Sequence, residues 1–147
     1  LIFVLSDVHA PAVTIPDNER QALCTSYDGI VRLIELEEPP QIKTFIGHAG
    51  HVMYITISRD GKTLATMGAD CTLRLWRVES GAELLQFNLD GYPKSLQFNE
   101  HSLVAITTLP GVRPHYQVLK VTTLPGAPIA VAADAGQEGR PEHKTLE

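Results

Sequence analysis

A chain of 147 residues with 44% hydrophobic side chains has the composition of an ordinary folded domain, which excludes disorder along its whole length. Its 12 basic residues against 17 acidic ones leave a net charge of −5, with no Lys/Arg cluster dense enough for a phosphate-binding face, so direct nucleic-acid binding is not expected. The longest apolar run, Leu1–Leu5, is far shorter than the roughly 20 residues of a membrane span and has no basic stretch before it, so the chain reads as intracellular, in cytoplasm or nucleus.

The chain opens at Leu1 rather than Met and runs straight into "LIFVLS", expected to be a leading strand in a piece of a longer chain. After His9, the apolar run "ALCTS" (22–26) reads as a strand, Tyr27-Asp28 as a turn and "IVRLIEL" (30–36) as the next strand. The plan is clearest after Gly47-His48. In "VMYITIS" (52–58), Val52, Ile55 and Ile57 are apolar while Thr56 and Ser58 are polar, so the end of the segment alternates with the period of a half-buried strand. Arg59-Asp60-Gly61 then turns the chain. "TLATM" returns as a second strand, Asp70-Cys71 turns again, and "LRLWRV" puts Leu73 and Leu75 on one face, Arg74 and Trp76 on the other. Ser80-Gly81 leads into "ELLQFN", which makes four antiparallel strands in about 40 residues. A weaker copy follows: "KSLQFNEHSLVAITT", a turn at Leu109-Pro110-Gly111, and "HYQVLKV". Past Thr122 the chain is rich in Ala, Gly, Pro and charge, and reads as a flexible tail whose apolar patch, Ile129 to Val131, could dock. No segment carries a sustained helical period.

These segments repeat. "SYDGIVRLIEL" and "GADCTLRLWRV" align without gaps, with a constant spacing of 42 residues between Asp28 and Asp70, Arg32 and Arg74, Leu33 and Leu75, Ile34 and Trp76. Gly47-His48, the Ser58-Arg59-Asp60-Gly61 turn, Asp70 and the Leu-Arg-Leu before Trp76 resemble a WD40 repeat, and the period agrees. The resemblance is strong over 47–78, moderate over 9–36 and weak over 90–121. It implies an all-β fold: a fragment of a WD40-type β-propeller with about three four-stranded antiparallel blades and a C-terminal tail. The expected division is a degenerate blade with its leading strand at 1–46, a well-matched blade at 47–89, a degenerate third blade at 90–122 and the tail at 123–147.

The resemblance also implies a hydrogen-bonded set of four in the second blade: His48, Thr66, Asp70 and Trp76. The chemistry is coherent, since an imidazole held between a carboxylate and a hydroxyl, with that hydroxyl reaching the indole N–H, satisfies groups that would otherwise cost about 1–3 kcal/mol each when buried unpaired. The first copy has Cys24 in the place of Thr66 and Ile34 in that of Trp76, so it must rest on apolar packing. Arg77 replaces the aspartate that usually follows the tryptophan, and Trp76-Arg77-Val78-Glu79 departs from the Trp-Asp-x-Arg of cullin-4 recruiters.

Other sites are weighed against this scaffold. A His-Asp-Thr grouping suggests a hydrolase triad, but His48 would be fully engaged, so no catalytic residue and no cofactor are expected. His48 and His51 have a His-x-x-His spacing with Cys71 not far off in sequence, but a zinc site needs three or four ligands and the turn placement already accounts for His48, so no metal is expected. Cys24 and Cys71 read as buried thiols in a reducing compartment. The partner-binding candidates are Tyr27 and Ala69, which precede the turn aspartates, with His51 and Met53 at the start of the second blade; all four are expected on one face, opposite the Arg59-Asp60-Gly61 tip. The function implied is a non-enzymatic scaffold for protein partners in a multi-subunit complex. The remaining blades are expected from the same longer chain or from a partner, because three sheets alone leave strand edges open. The alternative is a substrate-recognition subunit of a ubiquitin ligase, similar to the fizzy-type activators.

Overall fold

A computed structural model describes residues 12–14, 20–99, 102–109, 115–122, 130–135 and 142–145, with side chains at 20–99 and 102–109. The expected leading strand at 1–6, the turn at 110–111 and Ile129 lie outside the described residues. Three antiparallel sheets follow one another along the chain. The first is β1 (Ala12–Thr14), β2 (Gln21–Thr25), β3 (Ile30–Glu35) and β4 (Gln41–Ile46), and the second is β5 (Val52–Ile57), β6 (Thr63–Gly68), β7 (Thr72–Arg77) and β8 (Glu83–Asn88), each pairing in chain order. The third contains β9 (Tyr92–Phe98), β10 (Ser102–Leu109), β11 (His115–Thr122), β12 (Ala130–Ala135) and β13 (Glu142–Thr145). Among the described residues there is no helix, and none long and apolar enough to cross a membrane.

The third sheet differs from the sequence expectation. The segment read as a flexible tail contributes β12 and β13, with Leu119 opposite Ala133 and Ala132 opposite His143. An Ala-rich segment shows little strand signal because it offers few side chains to bury, yet its backbone donors and acceptors pair as well as any others.

Alternation carries the second sheet between its neighbours. Leu73 and Leu75 of β7, with Ala65 and Met67 of β6, enter a core shared with Leu96, Leu103 and Ala105 of the third sheet. Trp76 and Leu64 point the other way, into a core shared with Leu23, Val31, Leu33 and Phe45 of the first sheet. The second sheet is therefore buried on both faces. One bulge alters the expected period: Val52 pairs with Gly68 and Tyr54 with Met67, leaving Met53 extra. That added residue brings Val52 and Ile55 into the same core although they stand three apart. The third sheet repeats the device, with Lys94 left between Pro93, opposite Thr107, and Ser95, opposite Ile106.

The turn after Asp28 sets the approach of the first two sheets. Gly29 has φ 77°, and a Cβ there would lie 2.8 Å from the carbonyl oxygens of both His48 and Gly50. Only glycine tolerates both the left-handed backbone and that contact. Forty-two residues on, the same turn position is held by Cys71 with φ 55°, a conformation that a Cβ disfavours.

Candidate functional site: a buried polar set and the sheet edge above it

Within the second sheet the structure brings His48, Thr66, Asp70 and Trp76 into one chain of hydrogen bonds. His48 Nδ1 lies 3.0 Å from Asp70 Oδ1, His48 Nε2 lies 2.7 Å from Thr66 Oγ1, and the Trp76 indole N–H donates to the same hydroxyl oxygen at 2.9 Å. A neutral imidazole fits these partners: Nδ1–H donates to the carboxylate, and Nε2 accepts from the Thr66 hydroxyl. Asp70 accepts three more bonds, from the Ala49 N–H at 3.0 Å, the Thr72 hydroxyl at 2.9 Å and the Thr72 N–H at 3.2 Å. Arg74 extends the set, donating to Thr72 Oγ1 at 3.2 Å and to Glu83 at 2.7 Å. Thr72, Arg74 and Glu83 were not singled out by sequence reasoning; the aligned Arg32 was the available signal. Gly68 leaves the room required, since a Cβ there would stand 2.6 Å from His48 Nδ1 and 2.7 Å from Asp70 Oδ1.

The first sheet has the turn aspartate without the rest. Asp28 accepts the Ile30 N–H at 2.9 Å, as Asp70 accepts that of Thr72, but its carboxylate then binds Arg32 at 2.8 Å. Cys24 and Ile34 are both buried where Thr66 and Trp76 stand in the second copy. Burial pushes the Cys24 thiol pKa up, with Arg32 opposing. Cys71, expected to be buried, is only partly so. Its turn position, not a core position, is the reason. Both cysteines are free.

Burial holds the His48 pKa below the usual imidazole value, against the pull of Asp70. Burial alone would raise the Asp70 carboxyl, but donation from Ala49, His48 and Thr72 more than offsets it and the pKa is lowered. The unfolded chain protonates this histidine near pH 6.5 while the folded chain resists until lower pH, so His48 takes stability away as pH falls through 6.5 toward its folded pKa. Asp70 removes more only below the usual carboxylate range. We expect the melting temperature to decline from pH 7.5 to 5, and the His48→Gln variant, less stable throughout, to show a shallower slope. Equal slopes in the two proteins would show that His48 contributes no such linkage.

Above this set lie the four candidates for partner contact. Tyr27 is 66% exposed, and its ring centroid is 5.9 Å from that of His51, the planes tilted by 56°. The Ala69 N–H donates to the His51 carbonyl at 2.9 Å, which ties the two loops together. Met53 is the extra residue of the bulge and is half-buried. Sequence reasoning missed Tyr92, which precedes Pro93 as His51 precedes Val52, each just before its sheet's bulge, and is 49% exposed. Matching Gly91-Tyr92 to Gly50-His51 would have found it.

Among the described residues, no three His, Cys, Asp or Glu side chains converge as a metal site. Both ring nitrogens of His48 are engaged, which leaves it unavailable as a base.

Comparisons with known proteins agree with this architecture. The family model for "WD domain, G-beta repeat" matches residues 39–77. The chain is 34% identical over 80 residues to the serine-threonine kinase receptor-associated protein of Gallus gallus, a match covering 54% of this chain and 23% of that protein. It is 35% identical over 81 residues to the tRNA (guanine-N(7)-)-methyltransferase non-catalytic subunit wuho of Aedes aegypti, covering 52% of this chain and 20% of the relative. WD repeat-containing protein 18 of Bos taurus is 32% identical over 103 residues, covering 62% and 24%. The chain thus matches about a quarter of the length of these relatives or less. In fold it is similar to the β-propeller domain of Cps50 (Swd1) from Myceliophteria_thermophila, with a TM-score of 0.65 and 16% identity over 97% of this chain and 39% of that one. Sheets in sequence order, their bulges, the matched repeat and the propeller likeness lead to one conclusion: the chain is a WD40-repeat protein with a β-propeller fold, and no specific member of the family is singled out.

Proposed function

We propose that the chain is a non-catalytic interaction scaffold within a multi-subunit assembly, and that protein partners dock on the edge bearing Tyr27, His51, Met53 and Ala69, with Tyr92 extending it. The observation that carries the reading is the exposed Tyr27 ring set against His51 above a rigid, fully bonded blade. Amphipathic aromatics on a rigid support lose little entropy on binding and are enriched among interface anchors. His48, Thr66, Asp70 and Trp76 serve in this reading as fasteners that fix the loops beneath the docking surface. The wuho relative is by its name a non-catalytic subunit, which supports a scaffold role. The names of these relatives lend no support to a ubiquitin-ligase adaptor. Free thiols suit an intracellular setting. Further blades complete the ring, from the same polypeptide or a partner.

The test is quantitative capture of partners by the wild type and by the Tyr27→Ala/His51→Ala variant. At about 2 kcal/mol for an anchor, binding should weaken roughly 30-fold, with circular dichroism and melting temperature unchanged. Arg59→Ala, at the other end of the β5–β6 hairpin, should do little. The reverse pattern would move the site to that end.

A further inference from the structure

The Tyr27–His51 contact joins two loops that belong to different sheets. Tyr27 stands in the β2–β3 turn, which is closed by the Gly29 N–H donating to the Ser26 carbonyl at 3.2 Å. Asp28 braces the same turn, accepting from the Ile30 N–H at 2.9 Å and from Arg32 at 2.8 Å. His51 stands in the loop that leads into β5. That loop is tied to its own sheet: the Ala49 N–H donates to Asp70 at 3.0 Å, and the His51 carbonyl accepts from the Ala69 N–H at 2.9 Å. Each loop is thus rigid in itself, and the ring contact depends on how closely the two approach.

Gly29 sits at that approach. A Cβ there would press on the His48 and Gly50 carbonyl oxygens, 2.8 Å from each. Neither oxygen can yield alone. The His48 oxygen shares its planar peptide unit with the Ala49 N–H that Asp70 holds, and the Gly50 oxygen shares its own with the His51 nitrogen. A side chain at position 29 therefore drives the turn off the loop, or breaks the loop from Asp70, and in either case Tyr27 parts from His51. The second copy of the turn shows the alternative. Cys71 carries a Cβ at φ 55°, its carbonyl accepts from the Leu89 N–H at 2.8 Å, and Ala69 stands where Tyr27 stands in the first copy. The turn that presents an exposed ring has the glycine; the turn that presents none does without it.

We propose that Gly29 is a positioning residue of the docking edge: its missing side chain lets the turn of the first sheet seat on the loop of the second, and this seat sets the Tyr27 ring against His51. The inference rests on the function proposed above, and Gly29 itself touches no partner. It acts by preorganisation. A ring already held in place gives up less rotamer freedom when a partner arrives, so the glycine adds to affinity without contributing a contact.

Proton NMR of the whole 147-residue chain reads the seat without any partner. The ring current of Tyr27 displaces the His51 ring signals, and Tyr27→Ala gives their position without it. Gly29→Ala and Gly29→Asn should both move the His51 signals most of the way to that position, with unchanged circular dichroism. Asparagine accepts the left-handed backbone better than alanine does, so it separates the contact from backbone strain and is read alone if Gly29→Ala fails to fold. Gly61→Ala supplies the opposite control: φ is 71° there and nothing lies within 4 Å of the added Cβ, so it carries strain without contact and should leave the His51 signals in place. Capture of partners by the Gly29 variants should weaken at least tenfold. Unmoved His51 signals in Gly29→Asn, or an equal displacement in Gly61→Ala, would overturn the positioning role. So would capture that falls in Tyr27→Ala/His51→Ala and holds in Gly29→Asn. Capture indifferent to all of these changes would instead overturn the docking edge itself, and the proposal with it.

Discussion

Trp76→Ala should destabilise the fold by about 3–5 kcal/mol, more than any other single truncation in the second sheet. The side chain is 2% exposed and meets Phe45 edge to face at a centroid distance of 5.9 Å. Its removal opens a cavity in the core that joins the first two sheets, and it strips the Thr66 hydroxyl of its indole donor. Against a total stability of about 5–15 kcal/mol such a loss is a large share. Calorimetry should show the melting temperature lowered by at least about 10 °C. Partner binding at temperatures where the variant stays folded should survive, since Trp76 contacts no solvent-facing surface. A variant that melts like the wild type and fails only in binding would make Trp76 part of an interface.

The strand plan of the second sheet was legible because its side chains are forced to alternate: β7 is buried on both faces, and Leu-Arg-Leu-Trp between two turns says so. The resemblance to a WD40 repeat named His48, Thr66, Asp70 and Trp76, and each sits where a turn or a strand phase places it. What escaped the reading has physical causes. The bulge at Met53 is a backbone event with no residue signature, and it shifted the period of β5. β12 and β13 are held by ladder hydrogen bonds that an Ala-rich segment does not advertise. In the third sheet two of the four positions are apolar. Counting from the bulges, Leu89 and Ala105 stand where His48 and Thr66 stand, and both are buried in the apolar core. A charged network such as Arg74 with Glu83 needs coordinates, since nine residues of sequence separation on neighbouring strands is not a contact rule.

Thr66→Val tests whether the polar set acts as a unit. The substitution keeps the shape of a fully buried side chain and deletes one oxygen. Two groups then lose their partner together: the Trp76 indole N–H, which donated at 2.9 Å, and His48 Nε2, which accepted at 2.7 Å. At about 1–3 kcal/mol for each buried orphan, the expected loss for the two is about 2–6 kcal/mol. No cavity contributes, so the cost is electrostatic in origin. Adding Trp76→Phe removes the orphaned indole N–H, and the double variant should therefore be less destabilised than the sum of the two single changes, by about 1 kcal/mol or more. Denaturant unfolding of the four proteins at pH 7.5 gives the cycle directly. Strict additivity would mean that Thr66 and Trp76 support the sheet independently, and the description of His48, Thr66, Asp70 and Trp76 as one coupled fastener would have to be abandoned.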